Sequence, residues 1–359
     1  MKTYKIAAIP GDGIGTEVIS AGLEVLEAIA KRAGFAIDVA HFDWGSDRYL
    51  REGTMMPEDG LDQIRPFDAI YFGSAGDPRV PDHISLWGLR LAICQPFDQY
   101  ANVRPARVLP GLESPLRGIG PGDLDWVIVR ENSEGEYAGA GGRAHQGHPH
   151  EVGMDVSVFT RVGVERIQRF AFDLARARAA KHLTLVTKSN AQRHGMVMWD
   201  DVFHAIRGDY PDVATERVLV DAMTTRMVLR PDDIDVVVAT NLHADVLSDL
   251  AAALTGSLGL APTANLNPEG TWPSMFEPIH GSAFDIMGQG IANPIGSFWS
   301  GAMMLDHLGE PAAAASLMNA IEQVTAAGAP LPRDLGGLAT TREMTDAVLS
   351  AVEGRNTGA

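Results

Sequence analysis

The chain has 359 residues, 45% of them hydrophobic and 21% charged, enough for one large domain or two ordinary ones with substantial cores. Its 29 Lys and Arg against 46 Asp and Glu give a net charge of −17, which excludes a nucleic-acid binder that needs a basic face and leaves a metal site admissible. The single cysteine, Cys94, excludes an intrachain disulfide framework and a cysteine-rich zinc centre.

In chain order, KIAAIP predicts a strand, GDGIG a tight turn, and TEVISAGLEVLEAIAKRAG a helix stopped by glycine. FAIDVAHF and FDAIYFGS predict further strands, as do DWVIVR, LTLVTK, RVLVD and DIDVVVATN. Strand, turn and helix in repetition predict an α/β fold with a mostly parallel sheet. The Gly- and His-rich stretch GAGGRAHQGHPHEVGMD predicts an extended arm or loop. Its His145, His148 and His150 are read as solvated, because no Cys or acidic spacing supports a tetrahedral site. The tail EGRNTGA is expected to fray. The N-terminal apolar run is too short for a secretory core, and the apolar stretch from Leu250 to Ala264 too short and interrupted for a bilayer. A cytoplasmic location, with no membrane partner, is the default expectation.

Ligands of open α/β sheets sit beyond the carboxyl ends of the strands. There the chain delivers Arg130 with Tyr137 soon after, Lys188 with Asn190, then Asp221, and then a helix carrying Asp245 and Asp249. A spacing of four puts both aspartates on one helix face, where like charges repel unless a cation lies between them. Hard oxygen donors of this kind suit Mg²⁺ or Mn²⁺, although a helix N-terminus favours carboxylates in any case. Lys188 and Tyr137 are candidate proton-transfer groups, and Arg104 and Arg130 can fork onto carboxylates. Singly, each also fits an ordinary surface or ion-pair role. The turn GDGIG has the spacing Gly-x-Gly-x-Gly, not that of a dinucleotide fingerprint, so its glycines need serve only a tight turn.

Taken together, IPGDGIGTEV, FDQYANVRP, VRENSEGEYAG, TKSN, NLHADVLSDL, FEPIHGSAFDI and IANPIG resemble the isocitrate/isopropylmalate dehydrogenases over nearly the whole chain. Among them, the D-malate and tartrate dehydrogenase (decarboxylating) branch is most alike. The resemblance implies two α/β domains with interrupted connectivity, residues 1–99 with 256–359 on the cofactor side, and 100–255 with the arm and dimer interface. It implies Tyr137 and Lys188 as catalytic groups, and Asp221, Asp245 and Asp249 as ligands of Mg²⁺ or Mn²⁺. Arg104, Arg130 and Asn190 would contact the substrate. His280, Gly281, Asp285 and Asn293 would hold the adenosine side of NAD. At Asp285 a carboxylate accepts from a ribose 2′-hydroxyl and repels a 2′-phosphate, which favours NAD over NADP. Lys188 and Asp221 would reach the site from a second subunit, so a homodimer with shared sites is expected.

One position departs from the branch. Ungapped alignment puts Cys94 where a third substrate arginine is expected, with Arg90 one helical turn earlier as the compensating cation and Trp87 and Leu91 nearby. The expected reaction is NAD- and metal-dependent oxidative decarboxylation of a malate-type 2-hydroxy acid, D-malate or tartrate first. A 3-isopropylmalate or other 3-substituted malate dehydrogenase, a catalytically weak regulatory homologue, and a metal-independent hydroxy-acid dehydrogenase are the alternatives.

Overall fold

The computed structural model describes residues 1–354, so most of the tail expected to fray, from 355 onward, lies outside the described residues. The chain forms two compact units. The first takes Met1–Gln99, Arg107–Leu124 and the chain from Ala252 onward; the second takes Tyr100–Ala106 and Asp125–Ala251. Arg107–Leu124 therefore folds with the first unit, a return that a reading with only two chain boundaries does not contain.

The strands of the first unit are β1 (Thr3–Gly11), β2 (Ala36–His41), β3 (Ala69–Ser74), β11 (Pro262–Leu266) and β12 (Ser274–Pro278), in the order β2-β1-β3-β12-β11. The pairs β1/β2, β1/β3 and β12/β3 are parallel, and β11 runs antiparallel to β12. Every residue of β3 is buried, as its unbroken AIYFGS run requires of a strand covered on both faces. The predicted helix forms over Gly15–Ala33 and buries Val18, Ile19, Leu23, Leu26 and Ile29. Gly34 closes it in the left-handed region at φ 85°, its N–H donating to the Ala30 carbonyl. Small residues let the helix Ile295–His307 approach closely: the Ser297 hydroxyl donates to the Val18 carbonyl at 2.9 Å.

The GDGIG turn is built for close approach. Gly13 has φ 56°, and a Cβ there would stand 1.9 Å from the Ser282 carbonyl oxygen. The N–H groups of Asp12 and Ile14 donate to the Ser74 and Ser282 carbonyls, and that of Gly15 to Asp12 itself. Three amides of the turn are therefore already paired with carbonyls of the fold. The buried Asp12 carboxylate pins the turn to two other segments. It accepts from the Ser46 N–H and hydroxyl, both at 2.7 Å, and from the Gly76 N–H at 2.8 Å.

The strands of the second unit are β4 (Ala101–Arg107), β5 (Asp125–Glu131), β6 (Gly135–Ala144), β7 (Val152–Val158), β8 (His182–Thr187), β9 (Ala214–Leu219) and β10 (Val236–Ala239). Its sheet runs β4-β5-β10-β8-β9, with β5/β10, β10/β8 and β8/β9 parallel. Helices Arg161–Ala177, Gly195–Ile206, Val220–Leu229 and Asn241–Leu254 accompany it. The Gly- and His-rich stretch is more ordered than a loop: β6 and β7 pair antiparallel as a separate two-stranded ribbon. His145, His148 and His150 sit exposed in its tip. The fold is thus α/β with a mostly parallel sheet, as the alternation of elements predicts. No helix among the described residues is long and apolar enough to cross a membrane.

Replacing Asp12 by Ala orphans the buried Ser46 N–H and the half-buried Gly76 N–H. The expected loss is about 2–4 kcal/mol of unfolding free energy, read as a lower urea midpoint at unchanged slope. An unchanged midpoint would show that the turn does not depend on this carboxylate.

Candidate active site

Arg104 on β4, Arg130 on β5, Tyr137 on β6 and Asp245 on the helix Asn241–Leu254 come together within the second unit. Asp245 Oδ1 accepts from Arg104 Nη1 at 3.2 Å and, more closely, from Arg130 Nη1; its Oδ2 accepts from the Tyr137 hydroxyl at 3.2 Å. The guanidinium of Arg130 lies 5.3 Å from the centroid of the Tyr137 ring. The arginine side chains are only 7% and 3% exposed, whereas Asp245 is 35% exposed. Two hidden cations therefore present their charge at a carboxylate that solvent and ligands can reach.

Neutral partners aim the arginines. Arg104 Nε donates to Asn102 Oδ1 at 2.8 Å and Nη1 to Ser248 Oγ at 2.6 Å. Arg130 Nε donates to Asn241 Oδ1 at 2.9 Å. Buried guanidiniums held this way lose little further freedom when they grip a second carboxylate. Glu136 on β6 caps the same helix, accepting from the Thr240 hydroxyl at 2.9 Å and the Leu242 N–H at 3.1 Å. That cap comes from a strand a hundred residues away, so no local capping motif announces it. The fully buried Glu131, which closes β5, was likewise not singled out by spacing or strand-end position.

Asp249, one helical turn beyond Asp245, has its carboxyl pKa raised, by desolvation first and then by the like charge of Asp245. Two oxygen-donor carboxylates that repel one another on one helix face suit a hard dication. Lys188 and Asp221 form a separate pair, in which the ammonium donates to Asp221 Oδ1 and holds that carboxyl below its ordinary range. Asp221 stands in the first turn of the helix Val220–Leu229, just past the end of β9. Asn190 is exposed in the turn after β8. Among the described residues, no three His, Cys, Asp or Glu side chains of one chain assemble as a metal site. One copy thus brings Asp245 and Asp249 together with both arginines and Tyr137, but not with Asp221.

In the first unit His280 is buried, its Nδ1 3.0 Å from the Gly281 carbonyl. Burial lowers its pKa, and its Nε2 is buried with no hydrogen-bond partner. Asn293 is fixed on both sides, donating to Asp334 at 2.9 Å and accepting from the Ile295 N–H at 3.0 Å. Gly281 and Asp285 are exposed, and Asp285 lies in a turn that Gln289 closes onto its carbonyl at 2.7 Å. A buried imidazole nitrogen with an unused bonding position, beside an exposed glycine and an exposed carboxylate, suits a polar nucleoside.

Arg90 and Cys94, both expected on the substrate side, belong to the first unit. Cys94 is 0% exposed and packs among Ile9, Trp44, Phe72, Leu89 and Phe97 in the core of that unit. The residues just before it, Leu86–Arg90, form a π-turn, whose extra residue changes which positions face inward, and ungapped counting does not carry orientation across it. Arg90, expected as the compensating cation, pairs within the first unit: its Nε donates to Glu277 at 2.8 Å and its Nη2 to Asn265 at 3.0 Å. Leu91 is buried, whereas Trp87 is exposed.

A family model described as isocitrate/isopropylmalate dehydrogenase matches residues 5–348. A probable tartrate dehydrogenase/decarboxylase of Agrobacterium vitis is 66% identical over 357 residues, covering 99% of each chain. D-malate dehydrogenase [decarboxylating] of Escherichia coli (strain K12) is 51% identical over 359 residues, covering 98% of this chain and 99% of that protein. Among solved structures, isocitrate dehydrogenase from Methylococcus capsulatus aligns with a TM-score of 0.88 at 36% identity, covering 98% of this chain and 100% of that one.

Because the charge of Asp245 helps to raise Asp249, an Asp245→Asn variant should titrate Asp249 at lower pH. Carboxyl carbon NMR on both proteins measures this. An unmoved Asp249 would mean that the two carboxylates do not share one electrostatic site.

Proposed function

The chain belongs to the isocitrate/isopropylmalate dehydrogenase family, and from that premise we propose that it oxidises and decarboxylates a malate-type 2-hydroxy acid, D-malate or tartrate, with NAD and a divalent cation. The observation that carries this reading is the meeting of Arg104, Arg130 and Tyr137 at one aspartate. Two arginines in fixed orientation suit the carboxylates of a small dicarboxylic acid, and a phenol beside them suits proton transfer.

Asp245 and Asp249 would hold Mg²⁺ or Mn²⁺, joined by Asp221 of a second copy. When bound, the ion supplies Lewis-acid stabilisation of the oxygen on C2, and NAD accepts the hydride. Arg104 and Arg130 orient the substrate carboxylates. Lys188 of the second copy takes the hydroxyl proton, and Tyr137 returns a proton to carbon after carbon dioxide has left. On the cofactor side, His280, Gly281 and Asn293 would line the adenosine, and Asp285 would accept from its ribose and disfavour a 2′-phosphate.

A homodimer follows from the same reading. Val152, Met154, Val156 and Val158 alternate along β7 and are all exposed, Met154 at 57%. An apolar stripe of this regularity in water calls for a covering partner, and a second copy would also supply Lys188 and Asp221.

The direct test is NADH formation from D-malate, tartrate and 3-isopropylmalate, with NAD or NADP, each with Mn²⁺ or with chelator. Metal-dependent turnover with NAD on D-malate or tartrate is expected. Turnover that survives chelation, or none on any of these acids, would overturn the reading. In a separate experiment, Met154→Asp combined with Val156→Asp should convert a dimer to a monomer in analytical ultracentrifugation and abolish activity; a fully active monomer contradicts shared sites.

A further inference from the structure

Glu131 is the last residue of β5, directly after Arg130, and it is 1% exposed. Its carboxylate gathers the turn that follows. Oε1 accepts from the Ser133 N–H at 2.9 Å and the Ser133 hydroxyl at 2.5 Å, and Oε2 from the Glu134 N–H at 2.8 Å. That turn is the only chain between β5, which carries Arg130, and β6, which carries Tyr137. A second layer holds it: Arg166 Nη2 donates to the Ser133 hydroxyl at 2.9 Å, and the Glu134 carboxylate accepts from Thr160 at the start of the helix Arg161–Ala177.

We propose that Glu131 is a positioning residue for the reaction: its ionised carboxylate fixes the turn that sets the Tyr137 hydroxyl against Asp245. This rests on the reading of Tyr137 as the proton donor. Three donors converge on the two oxygens of one carboxylate, and protonation removes the charge that strengthens all three bonds. The turn is then held more weakly, and with it the register of Tyr137 with Arg130 and Asp245.

The charged groups about Glu131 are few. In its own segment they are Arg130, committed to Asp245 and Asn241, and Glu134, whose like charge opposes ionisation. From the helix Arg161–Ala177 comes Arg166, through Ser133. On β4 there are Arg104 and Arg107, paired with Asp245 and Glu322 respectively, and β10 carries no charge. Burial pushes the Glu131 carboxyl up to about 7, against the ordinary 4.5. The sign of the linkage is set by this direction. The folded state holds the proton more tightly than the unfolded chain, so this group favours folding most below the unfolded value. That contribution is lost as pH rises through the folded one. A buried carboxylate that costs stability at neutral pH, beside two site residues, is what a functional demand on its charge leaves behind.

The test uses the intact protein with NAD, Mn²⁺ and D-malate. Wild type should show an acid-side inflection in kcat near the value at which Glu131 ionises. Glu131→Gln should lower kcat by about tenfold or more with KM little changed, and remove that inflection. Its thermal stability should also lose the decline with rising pH that Glu131 imposes on wild type. Ser133→Ala removes one donor from the carboxylate and should shift the inflection upward, and it decides the matter if the glutamine variant does not fold. Wild-type inflections in both variants would overturn the proposal. Tyr137→Phe separates the two readings: full activity in that variant sinks the role of Tyr137 itself, whereas its loss together with an indifferent Glu131→Gln sinks only the present inference.

Discussion

Two arginines buried to within a few per cent of their surface point at one half-exposed carboxylate, and the candidate site is organised about that arrangement. A guanidinium taken out of water is costly unless its charge is met and its donors are filled. Here Asn102, Asn241 and Ser248 fill the side donors and Asp245 meets the charge. Asp245, where the two guanidiniums meet, is the member of the group that solvent reaches. On the function proposed above, a dicarboxylic acid would meet cations whose orientation is already fixed, the form of preorganisation that favours turnover over mere binding.

The scaffold explains why the groups meet. Parallel strands β5 and β10 end side by side, so Arg130 and the start of the helix Asn241–Leu254 are neighbours by register. Asn241 at that helix start both orients Arg130 and donates to the Glu134 carbonyl at 3.3 Å, tying the helix to the turn before β6. Glu136 then caps the helix from β6 itself. Strand, turn, strand and helix are thus closed into one hydrogen-bonded ring around Tyr137 and Asp245, and Glu131 sits inside the turn of that ring.

Much of this was legible in residue order. Alternation of apolar runs with glycine-stopped helices gave the α/β class, because burial on both faces of β3 leaves an unbroken apolar strand. The i, i+4 aspartates and the strand-end Arg130 were visible because helical and strand periodicity place them. The glycines of GDGIG declared a tight turn but could not declare which carbonyls their neighbours' amides would meet. The burial of Cys94 was not legible, because a π-turn precedes it and a wide turn leaves no mark in composition. The pairing of Arg90 was not legible either, because its partner, Glu277, lies 187 residues away. Glu131 and Glu136 were passed over for the same reason: their meaning lies in what the fold brings to them.

The central claim is that Asp245 and Asp249 form the cation-binding face beside Arg104 and Arg130. Crystals grown with Mn²⁺ and D-malate, with diffraction recorded at the manganese absorption edge, measure it most directly. The account predicts an anomalous peak about 2–2.5 Å from carboxylate oxygens of Asp245 and Asp249, with Asp221 of a second copy completing the set and both guanidiniums on the bound acid. A manganese peak elsewhere, with the two aspartates touching only the arginines and solvent, would contradict it.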